Sequence, residues 1–122
     1  MLHEALVAAE TLRARGTRVQ VVDLPWLNRT DADWLAETVA PFGRVVVVED
    51  HAPVGALGDA ILRELAAERL LDGRSVSVFG VEGWPVCGTP PEALRFHRLD
   101  GASLADRIAG AIKDPAQRSV TS

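Results

Sequence analysis

A chain of 122 residues with 48% hydrophobic and 25% charged side chains has the length and composition of one globular domain, not of a disordered or fibrous protein. The formal net charge of −4 disfavours nucleic acid and anionic membranes as partners, because no excess of basic side chains can replace phosphate counterions. One cysteine, and a start at Met1–Glu4 without a signal-peptide pattern, lead us to expect a cytoplasmic protein.

The first third of the chain predicts a helix, a strand and a second helix. Apolar residues of the segment Leu2–Leu12 recur with the i, i+3, i+4, i+7 spacing of one helical stripe, and Gly16 follows at the position of a C-cap. The segment Val19–Leu24 is nearly all apolar and rich in valine, which is typical of a strand covered on both faces. Asp31 is placed to cap a helix that continues to about Phe42.

The rest of the chain continues this alternation. Arg44–Glu49 contains an uninterrupted valine run, the pattern of a parallel strand between two helical layers. A helix with an apolar residue every four positions follows at Leu57–Leu65, and Val76–Phe79 predicts a third strand. Two closing helices are predicted at Glu92–Phe96 and Ser103–Ile112. This order predicts a layered α/β fold with right-handed crossovers.

The loop after the valine strand is a candidate binding site, because open parallel sheets bind ligands beyond the carboxyl ends of their strands. Glu49 and His51 lead through Gly55 and Gly58 into a helix N-terminus, where free N–H groups could hold a small anion or contact a partner. The glycine spacing matches neither the dinucleotide fingerprint nor the P-loop. The alternative interpretation is structural, with the glycines allowing a tight turn and close packing of helix on sheet.

Two side chains are candidates for catalysis on their own. His51 could be a general base, since histidine exchanges protons near neutral pH, but no Ser, Cys or second His lies nearby in the sequence. Cys87 precedes a helix start that could stabilise a thiolate, although a lone thiol in a loop more often simply packs. The histidines and the cysteine lack metal-ligand spacing, so no metal site is predicted.

Four segments are informative when taken together and in order: Glu4–Gly16, Val21–Pro25, Val45–Gly58 and Gly88–Leu94. They resemble the C-terminal domain of transketolase-like thiamine-diphosphate enzymes. This group also includes deoxyxylulose-phosphate synthase and the pyruvate dehydrogenase β subunit. The resemblance covers roughly residues 4–112, and the order and spacing of the segments carry it more than any one motif.

The resemblance implies a three-layer α/β/α domain with a mostly parallel sheet over residues 1–113, followed by a flexible tail at residues 114–122. In the family this domain is the third of three, and the two domains before it hold thiamine diphosphate and Mg²⁺. No cofactor-binding residue of the family maps onto this chain. The resemblance therefore implies that the chain binds no cofactor itself and contributes to packing within an oligomer.

The sequence departs from the family pattern in two places. Gly55 is followed by alanine where the family commonly has two adjacent glycines, and family members usually have an apolar strand just before the helix that begins here near Leu2. That strand lies mid-sheet, between the equivalents of Val19–Leu24 and Val45–Glu49. Its loss would leave buried N–H and C=O groups unpaired, at about 1–3 kcal/mol each.

We therefore expect an N-terminally truncated domain that lacks its first central strand, either from a gene model begun at an internal Met or as a subunit of a split enzyme. Direct pairing of the two flanking strands could repair the sheet, or another polypeptide could complete it by strand addition. Ladder hydrogen bonds between Val19–Leu24 and Val45–Glu49 would count against an absent middle strand.

Three functional hypotheses follow. The first is a non-catalytic C-terminal domain or split subunit that packs with the thiamine-binding domains or subunit of the same enzyme, whose complete oligomer transfers a two-carbon ketol unit between sugar phosphates. The second is a free-standing regulatory domain that binds a small anion in the Glu49–Gly58 loop. The third is an independent enzyme that uses His51 or Cys87. Large rings in or near connections favour an interface, and three tryptophans have this placement: Trp26, Trp34 and Trp84.

Overall fold

The computed structural model describes residues 1–113 and places five helices and two strands in the order α1-α2-β1-α3-β2-α4-α5. The helices are α1 (Leu2–Ala14), α2 (Ala32–Val39), α3 (Leu57–Ala67), α4 (Pro90–Phe96) and α5 (Gly101–Lys113), and the strands are β1 (Arg44–Val48) and β2 (Ser75–Phe79). All five predicted helices are present. The tail expected at residues 114–122 lies outside the described residues.

The two strands form a parallel sheet, and α3 is the crossover between them. Arg44 is the register partner of Ser75, and Val48 is the partner of Phe79. The N–H of Glu49 extends the ladder beyond β1 by donating to the carbonyl oxygen of Phe79 at 2.8 Å. The predicted strands at Arg44–Glu49 and Val76–Phe79 are thereby confirmed, with ends that differ by one residue.

Helices cover both faces of this sheet, each over its own apolar cluster. On one face, Val48 and Phe79 pack against a buried cluster from α1, α5 and the residue between α4 and α5, which consists of Ala8, Leu12, Leu99, Leu104 and Ala105. On the other face, Val45 and Val78 pack against a cluster from α2, α3 and β1, which consists of Leu35, Val39, Val47, Ile61 and Leu65. The order of layers is therefore α/β/α, as the family resemblance implies.

The second helix confirms its predicted start but not its predicted end. Asp31 is the N-cap, and its Oδ1 accepts a hydrogen bond of 2.8 Å from the N–H of Trp34. The helix ends at Val39 and not at Phe42. Pro41 explains the difference, because a proline has no N–H to donate to the carbonyl four residues before it.

The close approach of α1 and α5 depends on a glycine and a distant carboxyl group. A Cβ at Gly101 would lie 2.5 Å from Cγ1 of Val7, so glycine lets the two helices touch. The N–H of Gly101 donates to Oε2 of Glu4 at 2.6 Å, which provides a partner at the first turn of α5. This turn starts the helix two residues before the predicted Ser103.

The predicted strand Val19–Leu24 was wrong as a paired strand. No ladder hydrogen bond joins this segment to β1 anywhere in the described part of the chain. Its one backbone contact of note is the carbonyl oxygen of Val19, which accepts a hydrogen bond of 2.9 Å from Nη2 of Arg13. The apolar composition of a strand is present, but a strand also needs a hydrogen-bonding neighbour, and a groove separates the segment from β1.

None of the helices within residues 1–113 has the length and apolar character needed to cross a membrane.

The packing of α3 on the sheet can be tested at Gly58, where an added Cβ would lie 2.6 Å from Cγ1 of Val78. Gly58→Ala is expected to lower the free energy of unfolding by about 1–3 kcal/mol through overpacking. The measurement is the urea midpoint followed by circular dichroism.

Gly110→Ala is the matched control for this substitution. Gly110 is also helical, and no heavy atom lies within 4 Å of its added methyl group, so stability should stay constant or rise by up to about 1 kcal/mol. Equal effects of the two substitutions would contradict the proposed contact between α3 and β2.

Candidate functional site

Four residues that the sequence singles out lie between the end of β1 and the first turn of α3, and Glu49 among them is buried at 4% exposure. Its Oε1 accepts a hydrogen bond of 2.5 Å from the N–H of Leu57, the first residue of α3. Ala56, the N-cap residue, has no side chain that could take this role. The carboxyl group of Glu49 therefore occupies the position at the α3 N-terminus that an external anion would take.

The two glycines, one in the loop and one in the first turn of α3, serve the backbone and the packing. Gly55 has a φ of +72°, which favours glycine, and its N–H donates to Oδ2 of Asp59 at 2.5 Å. Gly58 sits against Val78, where any larger residue would collide. The structural interpretation of these glycines accounts for both positions without a ligand.

His51 connects this loop to the segment that follows β2. Its carbonyl oxygen accepts a hydrogen bond of 2.9 Å from the N–H of Val81, and its exposed ring Nδ1 lies 3.1 Å from the carbonyl oxygen of Ala52. No hydroxyl, thiol or carboxylate hydrogen-bonds to the ring among residues 1–113. The arrangement of a base held by an orienting group is thus not formed at His51 in the described structure.

Cys87 is exposed in the loop before α4. At the start of α4, Oε2 of Glu92 accepts from the hydroxyl of Thr89 at 2.6 Å and from its N–H at 2.9 Å. The hydrogen bond from the Thr89 hydroxyl, followed by that from its backbone, lowers the pKa of the Glu92 carboxyl below its ordinary value. A carboxylate of the chain itself therefore complements this helix start.

The family resemblance raises the question whether this chain could hold thiamine diphosphate and Mg²⁺. Within residues 1–113 no group of three or more His, Cys, Asp or Glu side chains is arranged to hold a metal ion. Magnesium bound with a diphosphate takes one or two carboxylates and fills its remaining positions with phosphate oxygens and water, so this observation assigns no residue of the described chain to the cofactor.

An apolar groove of about 730 Å³, here called the central groove, opens beside β1. Val19–Leu24 forms one wall and β1 forms the other. Its remaining lining comes from both helical layers, including Ala8 and Leu12 on one side and Leu35 and Ile61 on the other. The groove therefore lies within the sheet layer and does not lie on an outer helical surface.

The backbone of β1 shows which groups face this groove. Ser75 donates to the carbonyl oxygen of Gly43, and Glu49 donates to that of Phe79, so the odd-numbered residues pair with β2. Because residues of a parallel strand alternate in the direction of their N–H and C=O groups, those of Val46 and Val48 point away from β2. They have no hydrogen-bond partner within the described chain.

Burial of the valine run agrees with an incompletely covered strand. Val47 is buried, whereas Val45, Val46 and Val48 are half-buried. Val22, across the groove, is 43% exposed. A strand with a neighbour on each side and a helical layer on each face would bury all of these side chains.

The three tryptophans predicted at an interface differ in exposure. Trp84 is 92% exposed in the loop after β2 and Trp26 is 65% exposed after the segment Val19–Leu24, whereas Trp34 is 38% exposed and lines the central groove. Their role in an interface stays a prediction.

A comparison with protein families decides the family of the chain: the model of "Transketolase, C-terminal domain" matches residues 1–104. The chain belongs to the transketolase C-terminal domain family. The resemblance seen in the sequence is thereby confirmed, and so is its assignment to the C-terminal domain of a transketolase.

Individual relatives agree with this family and are much longer. Human transketolase is 31% identical over 91% of this chain, which spans 18% of the human protein. A putative transketolase C-terminal section of Methanocaldococcus jannaschii is 32% identical over 90% of this chain and 34% of its own length. A solved structure, "Split gene transketolase, inactive beta4 tetramer", superposes with a TM-score of 0.75 at 29% identity, over 91% of this chain and 34% of that one.

The role of Glu49 can be tested by substitution. Glu49→Ala removes the acceptor for the N–H of Leu57, so the free energy of unfolding is expected to fall by about 1–3 kcal/mol. Asp50→Ala is the control, because Asp50 is an adjacent but exposed carboxylate. Urea denaturation of both variants measures the difference, and an equal response would show that Glu49 does not stabilise α3.

Proposed function

We propose that this chain is the assembly module of a transketolase-type enzyme and packs with the part of that enzyme that binds thiamine diphosphate. The observation that carries this proposal is the central groove, in which β1 leaves the N–H and C=O groups of Val46 and Val48 without partners among the described residues. Val46 and Val48 are half-buried, and backbone groups that become buried are nearly always paired in native proteins. Association with another part of the enzyme would pair these backbone groups and cover the apolar groove.

The length of this chain and its lack of a metal-ligand cluster among residues 1–113 indicate which part of the enzyme binds the cofactor. The chain spans 18% of human transketolase, which leaves most of such a polypeptide for cofactor and substrate. Residues 1–113 contain no group of three or more His, Cys, Asp or Glu side chains that could hold a metal ion. We therefore assign thiamine diphosphate and Mg²⁺ to the rest of the enzyme, where the cofactor supplies the carbanion chemistry for transfer of a two-carbon ketol unit between sugar phosphates.

The contribution of this chain is then to hold subunits or domains in place. Its exposed apolar side chains include Val54 and Trp84, at 86% and 92% exposure. Both lie in loops beyond the carboxyl ends of β1 and β2. Large exposed apolar groups are typical of contact surfaces, so this end of the sheet is a second place for contact with the enzyme. We place the assembly in the cytoplasm, since the single thiol suits a reducing compartment.

The geometry of the strand-end loop favours no second function. Glu49 already occupies the helix N-terminus at which an anion would bind, and the loop glycines are explained by φ and by packing. An oligomeric enzyme remains the better proposal, and it is supported by the similar split-gene transketolase, which is described as a tetramer.

Co-expression with the thiamine-binding section of the same organism's transketolase tests the assembly role. We expect the two polypeptides to co-purify and ketol transfer to appear with thiamine diphosphate and Mg²⁺, whereas this chain alone stays inactive. The measurement combines size-exclusion chromatography with a coupled transketolase assay.

A double variant, His51→Ala with Cys87→Ala, is the matched control in that assay. Because both side chains are placed outside the chemistry, its complex should keep the ketol-transfer rate of the unaltered complex. Turnover by this chain alone, or loss of ketol transfer in an intact complex of the double variant, would contradict the proposed division of labour.

A further inference from the structure

We infer that one end of the sheet docks onto an acidic surface of the thiamine-binding part of the enzyme, with an indole ring entering an apolar pocket and a guanidinium meeting a carboxylate. The residues are Val54 and Trp84, in the loops after β1 and β2, and Arg107 of α5, which together are called the strand-end surface. The inference rests on the proposed assembly role and goes beyond it by assigning the residues and the chemistry of one contact.

The two loops of this surface are joined at their base. The N–H of Val81 donates to the carbonyl oxygen of His51 at 2.9 Å. A Cβ at Gly80 would lie 2.6 Å from that oxygen and 3.1 Å from Cδ of Pro53, so glycine lets the loops approach this closely. Val54 follows Pro53 directly, and its loop is therefore held against the loop after β2. Side chains on a preformed base lose less conformational freedom when they bind.

The apolar part of the strand-end surface is almost wholly in water, since Trp84 is 92% exposed and Val54 is 86% exposed. No second ring of the described chain stacks on the indole. Trp84 precedes Pro85, which restricts its backbone to extended conformations and limits the directions in which the ring can point. Tryptophan is enriched among the few residues that supply most of the binding energy of an interface. An exposed and restricted ring of this kind fits a pocket on a partner.

Arg107 supplies a cation whose charge is incompletely balanced within residues 1–113. Its side chain is 16% exposed, and Cζ of its guanidinium lies 4.1 Å from the centroid of the Phe79 ring. The one carboxylate oxygen within 4 Å of it in the described chain is Oε1 of Glu82 at 3.7 Å, whereas a charge-assisted hydrogen bond spans about 2.7–2.9 Å. Burial lowers the pKa of the Arg107 guanidinium more than Glu82 raises it. Because Glu82 is itself 77% exposed, a carboxylate from a partner can replace it.

The two kinds of side chain specify a protein surface as the ligand. A small anion could meet the guanidinium of Arg107, but it would leave the indole ring of Trp84 in water. The net charge of the chain is −4, so an acidic group is attracted to this cation and repelled by most of the remaining surface. Charge complementarity of this kind fixes the orientation of a partner. We therefore expect the thiamine-binding part to present a carboxylate beside an apolar pocket.

Isothermal titration calorimetry with the thiamine-binding section of the same organism's transketolase tests this contact. Trp84→Ala is expected to raise the dissociation constant by about thirtyfold or more, the effect of removing a tryptophan from the centre of an interface. Leu6→Ala is the matched control, because Leu6 is an exposed apolar residue of α1 outside the strand-end surface. Its substitution should change the constant by less than about fivefold. Equal losses of affinity in the two variants would overturn the inference.

Glu82→Gln separates a docking role of Arg107 from a structural one. In the docking role Glu82 competes with the partner for the guanidinium, so its removal should tighten the complex by about two- to fivefold at low salt. If the ion pair instead holds the loop in place for binding, the same substitution weakens the complex or leaves its affinity unchanged. Either of these two results contradicts the inference.

Arg107→Met tests the cation directly and keeps a long apolar side chain over Phe79. The complex is expected to weaken by about tenfold or more, because the carboxylate of the partner loses its counter-charge. Arg63→Met is the control, since Arg63 is an exposed arginine of α3 outside the strand-end surface. Urea denaturation of the free variants checks that both fold, and equal affinities of the two folded variants would refute the role of Arg107. If Arg107→Met does not fold, the substitutions at Trp84 and Glu82 decide, because both of those side chains are exposed.

Other occupants of the strand-end surface give different results with this chain alone. Self-association that Trp84→Ala abolishes in analytical ultracentrifugation would assign the surface to a second copy. Binding of inorganic phosphate that depends on Arg107, together with a complex insensitive to Trp84→Ala, would assign it to a small anion. Both results overturn the inference. If the complex forms and every variant binds like the unaltered chain, the inference fails and the assembly role stands, whereas no complex with the unaltered chain contradicts both.

Discussion

The hydrogen-bonding requirement of one strand governs this structure. β1 has β2 on one side, an apolar groove on the other and helices over both faces. Only Val47 of this strand is fully buried, and half of its backbone groups lack partners within the described residues. An unpaired buried backbone group costs about 1–3 kcal/mol, and whole domains are stable by only about 5–15 kcal/mol. The fold is therefore organised around a position that favours occupation by further polypeptide.

The two helical layers explain why the groove persists. The α1 and α5 pair is joined by Gly101 and by the hydrogen bond to Glu4, and α3 is fixed against the sheet at Gly58. Arg74 adds bonds of 3.0 Å to the carbonyl oxygen of Phe42 and 3.1 Å to that of Val39, which hold the start of β1. These contacts keep the layers apart without any strand between β1 and Val19–Leu24 in the described chain. The wall formed by β1 is thus held by contacts that lie outside the groove.

Periodicity and composition predict the α/β order and the elements whose stabilising contacts are local. Three of these patterns depend on interactions between residues that are close in sequence: the valine run of β1, the cap at Asp31 and the spacing of apolar residues in the helices. The prediction of a paired strand at Val19–Leu24 was wrong for a physical reason. Apolar composition indicates that side chains are covered, but it does not indicate whether a neighbouring strand pairs with the backbone. The bond from Gly101 to Glu4 joins residues 97 positions apart, which no local pattern reports. The loop at Glu49 was predicted as a site, but the pattern could not show that its own carboxyl group fills the helix terminus.

The central claim is that this domain is completed by a strand from the rest of a transketolase. The most direct measurement is a crystal structure of the chain in complex with the thiamine-binding section. The account predicts continuous density for an extended segment between β1 and Val19–Leu24, with backbone hydrogen bonds to Val46 and Val48. A complex in which Val19–Leu24 pairs directly with β1, or in which the two walls remain apart with no polypeptide between them, would contradict it.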